Sequence, residues 1–300
     1  MDRLGTLETF VCVVECGSFS AASKRLGIGQ PAISKAIMQL ERQLSVTLLL
    51  RSTRGLTPTE AGQQFYEHIA PAINMIREAE DRVRHGGTQL SGRLRICAPV
   101  TFARLHIMPR LHEFMSAHPH LKVDMILDDR PVDLIAEGID ISLRLGALKD
   151  SGLTARRIDT CSMRLLATPE YFSTHGTPHS PDEVTSHDAV VYLQADTPSR
   201  WQFSRGNTQS WVTLAGRIRV SAAEGVRTAV LAGDGLAVAS EWMFAPELAD
   251  GRVVTALDDW HIGTMDLWAV YPGGRLTSAR ARAFTDFVAG SVTGVLSGLD

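Results

Sequence analysis

Cysteine is scarce in this 300-residue chain, and none of it falls at a spacing that does chemistry. Cys12 and Cys16 stand one helical turn apart, while Cys97 and Cys161 are isolated. Neither a CxxC redox pair nor a zinc knuckle fits, so reduced, partly buried thiols are expected. Long apolar runs are missing as well. No stretch reaches about 18 uninterrupted apolar residues, which argues against a transmembrane helix. The opening MDRLGTLETF lacks the apolar segment of a secretory signal, so a cytoplasmic protein with no membrane partner is expected. Catalytic signatures are absent too: there is no GxSxG elbow, no HExxH and no P-loop. GDGLAV (233–238) starts like a dinucleotide loop but leads into a strand pattern, whereas such loops lead from strand into helix. The ten histidines form no ligand-spaced cluster, and HPH at 118–120 has the makeup of a loop. Neither an enzyme nor a cofactor or metal centre is expected.

What is present is ordinary globular material with an uneven charge. The 44% hydrophobic content supports a buried core, and the length accommodates two or three domains. Residues 1–58 carry seven Lys/Arg against four acids, a net +3, within a chain whose total is −3. Between 24 and 54 the balance is six bases to one acid. A basic head on an acidic body implies that only the head meets a polyanion.

The head has helical periodicity with sharp breaks. Leu4, Leu7, Phe10, Val11 and Val14 are spaced for one helix. Ser18 or Ser20 caps a second that runs to Leu26, and Gly27 ends it. Gly29 and Pro31 open a third helix, with Ile33, Ile37, Leu40 and Leu44 on one stripe. Opposite that stripe stand Gln30, Ser34, Lys35, Gln39 and Arg42, side chains able to meet base edges and phosphates. Two helices joined by a tight Gly-containing turn make a helix-turn-helix whose second member is the reader. VTLLL (46–50), the basic turn RSTRG (51–55) and LTP (56–58) have the size of a wing that presents Arg51 and Arg54 to DNA.

A helix over roughly 59–85 follows, with Thr57, Pro58 and Glu60 as a capping box and Thr59 as the rival cap. Phe65, Ile69, Ala72, Ile76, Ala79 and Val83 form a narrow seam suited to dimerisation or to packing on its own domain. Pro71 should kink it. HGGTQLSG (85–92) is a hinge by composition. Strands and helices then alternate: LRICAP, a helix through FARLHIMPRLHEFMSAH disturbed by Pro109, LKVDMIL, a helix in PVDLIAEG, and IDISLRL. This order predicts a mostly parallel sheet. A second α/β set runs from MRLLATPEYF through DAVVYL, RIRVSA, EGVRTAVLAG and GLAVAS. The chain closes with MDLWAVYP and a final apolar helix.

Over essentially its whole length the sequence resembles the LysR-type transcriptional regulators. FSAAS-KRL, QPAIS-xxI-xxLE, RSTRGL-TxxG and downstream VDLIAEGIDISLRLG, ATPEYFSTHGTP and AVLAGDGLAVAS carry the likeness. The resemblance implies a multidomain α/β protein: a winged helix-turn-helix DNA-binding domain (1–58), a dimerising linker helix and hinge (59–91), and a two-lobed effector-binding domain (92–300). That domain resembles type 2 periplasmic binding proteins, with one lobe from 92–162 and 266–300 and the other from 163–265. It further implies promoter or operator DNA as partner, a homodimer or homotetramer, RNA polymerase as a further partner, and a small anionic effector between the lobes. Ser20, Gln30, Pro31, Ser34, Lys35, Gln39, Arg51 and Arg54 match DNA-contact positions. For the effector the matching positions are Pro99, Val100, Thr101, Phe102, Asp128, Arg144 and Ser221. Alternatives stand for two of these: Asp128 as a turn residue and Arg144 as a lobe-stabilising ion pair. The departures are Gly29 in place of a usual Ser/Thr cap, and Ser45 and Leu49 in place of a common glycine and phenylalanine.

Overall fold

A computed structural model describes residues 3–52, 55–84, 90–135, 137–148, 153–193, 200–214, 216–272 and 277–296. Three helices, α1 (Arg3–Cys16), α2 (Phe19–Leu26) and α3 (Gln30–Leu44), precede an antiparallel wing, β1 (Leu49–Ser52) and β2 (Gly55–Pro58). The second helix is capped by Ser18, whose side chain accepts from the Ala21 N–H, and Gly27 closes it at φ 68. Gly29 starts α3 with no side-chain cap, and Pro31 sits in the first turn, where its missing N–H costs nothing. The expected stripe holds except at its end: Ile33, Ala36, Ile37 and Leu40 are buried, but Leu44 is 38% exposed. Ser45, at φ 53, ends the helix in a conformation that a glycine would adopt without strain.

The one acid in the basic stretch 24–54 has a structural task. Glu41 Oε1 accepts from the Leu48 N–H (2.8 Å) and the Leu49 N–H (3.2 Å), tying the start of the wing to α3. The wing's first strand therefore begins three residues later than the apolar run at 46–50 implied.

The next helix, α4 (Glu60–Arg84), is about 37 Å long and continuous through Pro71. Its cap is Thr59 rather than Thr57, because Thr57 and Pro58 are paired in β2. Thr59 Oγ1 accepts from the Gly62 N–H (2.9 Å) and donates to the Thr47 carbonyl (2.8 Å). A Cβ on Gly62 would lie 2.0 Å from the Leu48 carbonyl oxygen, so this close approach requires glycine. Tyr66, Ala70 and Ile73 complete the head's core, with Phe65 and Ile69 packed beside them. The seam is thus partly spent on its own domain, while Met75 and Ile76 remain exposed.

The body is built on one mixed sheet. Its first part comprises β3 (Ser91–Ala98), α5 (Val100–Phe102), α6 (Leu111–Ala117), β4 (His120–Leu127) and β5 (Ile141–Leu145). Between α5 and α6 the backbone passes through a π turn (Ala103–Ile107) and a 3-10 turn (Met108–Arg110). Pro109 explains the disturbance: it has no N–H to offer the preceding turn. Among the described residues of PVDLIAEG, turns stand in place of the expected helix, and Gly138 has a φ of 60.

A 14-residue strand, β6 (Thr154–Ala167), then crosses from one lobe to the other. The second lobe holds α7 (Pro169–His175), β7 (Val190–Tyr192), the hairpin β8 (Arg200–Arg205) and β9 (Thr208–Thr213), β10 (Ile218–Val220), α8 (Ala223–Leu231), β11 (Ala237–Ser240), α9 (Glu241–Ala249) and β12 (Val254–Ala256). Return to the first lobe is by β13 (Thr264–Tyr271) and α10 (Ala279–Leu296). Strand order is β11-β6-β13-β5-β3-β4, with β12 also on β6. Only β4-β3-β5 is parallel in that sheet, because β6 and β13 run antiparallel as the two crossovers. One apolar core gathers Leu94, Ile96, Phe114, Leu267 and Phe284, and others gather Leu165, Phe203 and Leu236, and Val226, Val230 and Phe244.

Candidate nucleic-acid interface and effector cleft

Burial of Ile33, Ala36, Ile37 and Leu40 fixes which way α3 faces. Gln30, Pro31, Lys35 and Gln39 are exposed on the outer side, and Ser34 is half-buried between the two. The turn that presents them is clamped by the Ser23 hydroxyl, which donates to the Ile28 carbonyl at 2.6 Å. Ser20 is exposed in the first turn of α2. Not every base in the head faces outward unpaired: Arg25 is bound to Glu15 at 2.9 Å. Arg51 lies in β1 opposite Leu56. Its side chain, and Arg54 altogether, lie outside the described residues.

In the body, β3 ends at Ala98 and the chain turns through Pro99 into α5, beside the junction of the lobes. The donors expected here to await an anion already have carboxylates of the chain itself. The Val100 N–H donates to Asp129 Oδ1 (3.0 Å). Thr101, 3% exposed, donates its hydroxyl to Glu224 Oε2 (3.2 Å) at the start of α8, in the other lobe. Arg104 joins the same carboxylate, at 2.8 Å and 2.9 Å from its two oxygens.

The remaining positions divide. Phe102 is turned into the first lobe's core, edge-on to Trp242 with ring centroids 5.8 Å apart, because an apolar ring gains more there than in an open cleft. Asp128 behaves as the turn residue: it accepts from the Arg130 N–H (2.9 Å) and guanidinium, which hold its carboxyl below the usual range. Arg144 reaches the Val132 carbonyl of the adjacent loop (3.4 Å). Ser221 is exposed just after β10. Tyr192, at the end of β7, has its phenol pushed above the ordinary range by burial and by the nearby Asp129 charge.

Sequence reasoning missed Arg104, Asp129, Tyr192 and Glu224. Nothing local marks them; an acid in the first turn of a helix usually just complements the helix dipole. A second missed pair lies below: Arg227 and Glu247, both buried, meet at 2.6 and 2.9 Å, and Arg227 also donates to the Met243 carbonyl of the kinked α9. His106 Nε2 lies 2.8 Å from the Trp242 carbonyl; since a carbonyl only accepts, that nitrogen carries the proton. Burial lowers the pKa of this ring. Among the described residues no group of three or more His, Cys, Asp or Glu could hold a metal, and no helix is long and apolar enough to cross a membrane.

A winged helix-turn-helix joined by a long helix to a two-lobed, two-crossover body defines the class: a DNA-binding regulator with a sensor domain. Comparison with known proteins narrows it. Residues 4–63 match the family described as bacterial regulatory helix-turn-helix protein, lysR family, and residues 87–292 match the LysR substrate binding domain. The transcriptional activator TtdR of Escherichia coli is 33% identical over 284 residues, covering 94% of this chain and 91% of that protein. CrgA, a LysR-type regulator from Neisseria meningitidis, is 28% identical with a TM-score of 0.62, covering 97% of this chain and 99% of that one. The full-length Vibrio cholerae virulence activator AphB is 30% identical with a TM-score of 0.57, covering 96% and 99%. This chain belongs to the LysR family of bacterial transcriptional regulators. It is a regulator with an effector-binding domain, not an enzyme.

Proposed function

We propose that the head reads operator DNA through the outer face of α3, and that a small organic acid in the cleft alters how paired heads are placed. Gln30, Ser34, Lys35 and Gln39 reach base edges and phosphates, Pro31 and Ser20 line the backbone, and the wing arginines Arg51 and Arg54 lie along phosphates or in the minor groove. The observation that carries this reading is the division of α3 into a fully buried apolar side and an exposed polar one. The division of labour follows the segments 1–58, 59–91 and 92–300.

Oligomerisation, as a dimer or a tetramer, uses the exposed apolar residues of α4, Met75 and Ile76. In the cleft, Thr101 and Arg104 supply the donors for an effector carboxylate, with Ser221 and Tyr192 on the opposite wall. Lobe closure then shifts the spacing and bending of two bound half-sites. RNA polymerase is the downstream partner, and the cytoplasm the site of action.

A mobility-shift assay with the chain's own upstream DNA tests the core of this reading. A discrete complex that survives moderate salt and excess nonspecific DNA is expected; absence of sequence preference refutes it.

A further inference from the structure

Glu224 holds the two donors that the proposed function assigns to an effector carboxylate, and a third donor lies close behind it. In the observed position it bridges the lobes, held by Thr101 and Arg104 of the first lobe. Its side chain is 45% exposed and that of Arg104 48%, so the ion pair is screened and readily exchanged. On the other side, Arg227 Nε lies 3.8 Å from Glu224 Oε2, three residues along the same helix. That Nε is buried and has no hydrogen-bond partner among the described residues, although the rest of the Arg227 guanidinium is fixed by Glu247 and Met243. A buried donor without an acceptor is costly, and a displacement of about 1 Å would bring the Glu224 carboxylate within hydrogen-bond range.

We infer that Glu224 is a two-position switch and the built-in competitor for the effector. In one position it bolts α8 to α5. In the other it rotates back onto Arg227 Nε, satisfies that orphan donor, and releases Thr101 and Arg104 to the ligand. The inference rests on the reading of this cleft as a carboxylate site. Its consequence is selectivity. A tethered carboxylate acts at a high effective concentration, so a simple monoanion is excluded. An acid with further hydrogen-bonding groups, able to use Tyr192 and Ser221 as well, displaces it.

The test uses the full chain and three probes, acetate, malonate and citrate, titrated by calorimetry at ionic strength held constant with sodium chloride. Glu224→Gln should bind at least one probe about tenfold more tightly than wild type, and adding Thr101→Val should remove the gain. Equal affinity in wild type and Glu224→Gln, with Thr101→Val still weakening both, overturns the switch while leaving the carboxylate site standing. Binding indifferent to Thr101→Val and Arg104→Ala overturns the site itself, and with it the switch. Binding of no probe to either form also overturns the competitor role, since the freed donors then take no anion. Independently of any ligand, Arg104→Ala and Glu224→Ala should shift the urea midpoint non-additively; strict additivity contradicts the bolt.

Discussion

In the head, Gln30, Lys35 and Gln39 stand exposed while Ile33, Ala36, Ile37 and Leu40 anchor the opposite side of the same helix. In the cleft, Val100 and Thr101 are already engaged by the chain's own Asp129 and Glu224. The difference follows from the size and rigidity of the partner. DNA supplies its own array of acceptors, so the head needs only a stiff scaffold that presents donors to solvent at low cost. A small molecule must be enclosed, and enclosure buries polar groups that need partners before the ligand arrives. On the proposed reading, binding in the cleft is therefore an exchange of partners, whereas binding at the head adds partners.

The comparison can be broken most severely from beneath the cleft. Glu247→Ala should strand the buried Arg227 guanidinium and destabilise the body by about 3–5 kcal/mol, read as a lowered urea midpoint. If stability were unchanged, the buried pair would not anchor α8 and α9. Next in size is Gly62→Ala, whose methyl would collide with the Leu48 carbonyl; roughly 1–3 kcal/mol of destabilisation and weakened DNA binding are expected. Denaturation monitored alongside DNA affinity would separate the two effects.

Lys35→Ala sharpens the head side. It should weaken DNA binding several-fold at every sequence and lower the log–log salt slope by about 1, if Lys35 contacts a phosphate. An unchanged slope would remove Lys35 from the interface. Acid distinguishes the two regions in another way. Burial lowers the pKa of His106, and burial together with His175 does the same for His187. A lowered folded pKa means that the unfolded chain takes up protons first. Their stabilisation is complete above the unfolded value of about 6.5 and is lost as pH falls through the window below it. Body unfolding should accordingly become easier from pH 7 to pH 5, a trend that His106→Gln should flatten in thermal melts. The smallest effect is Ser45→Gly, which should stabilise the head by about 0.5–1 kcal/mol by relieving a positive φ.

Much of the head was legible because its constraints are local. Helix periods, Gly27 as a terminator and Pro31 in a first turn are consequences of backbone geometry that residue type alone dictates. Where the reading slipped, a longer-range contact decided: Thr59 displaced Thr57 as cap because Thr57 is held in the wing, and Glu41 set where β1 begins. The body was legible as alternating strands and helices but not as a mixed sheet, since β6 and β13 look like any other strands until they cross between lobes. Thr101 could be picked out by its place after a strand; Glu224 could not, being 123 residues away.

By itself the sequence determined most of the order of elements and the outward face of α3, because these rest on spacing within a few residues, and motifs along the whole chain carried the likeness to the family. Only the tertiary structure decided which carboxylate meets which donor. Asp129 on Val100 joins two strand ends of one lobe, Glu224 on Thr101 and Arg104 crosses between lobes, and Glu247 on Arg227 joins two packed helices, all set by the closure of distant segments that no local pattern records.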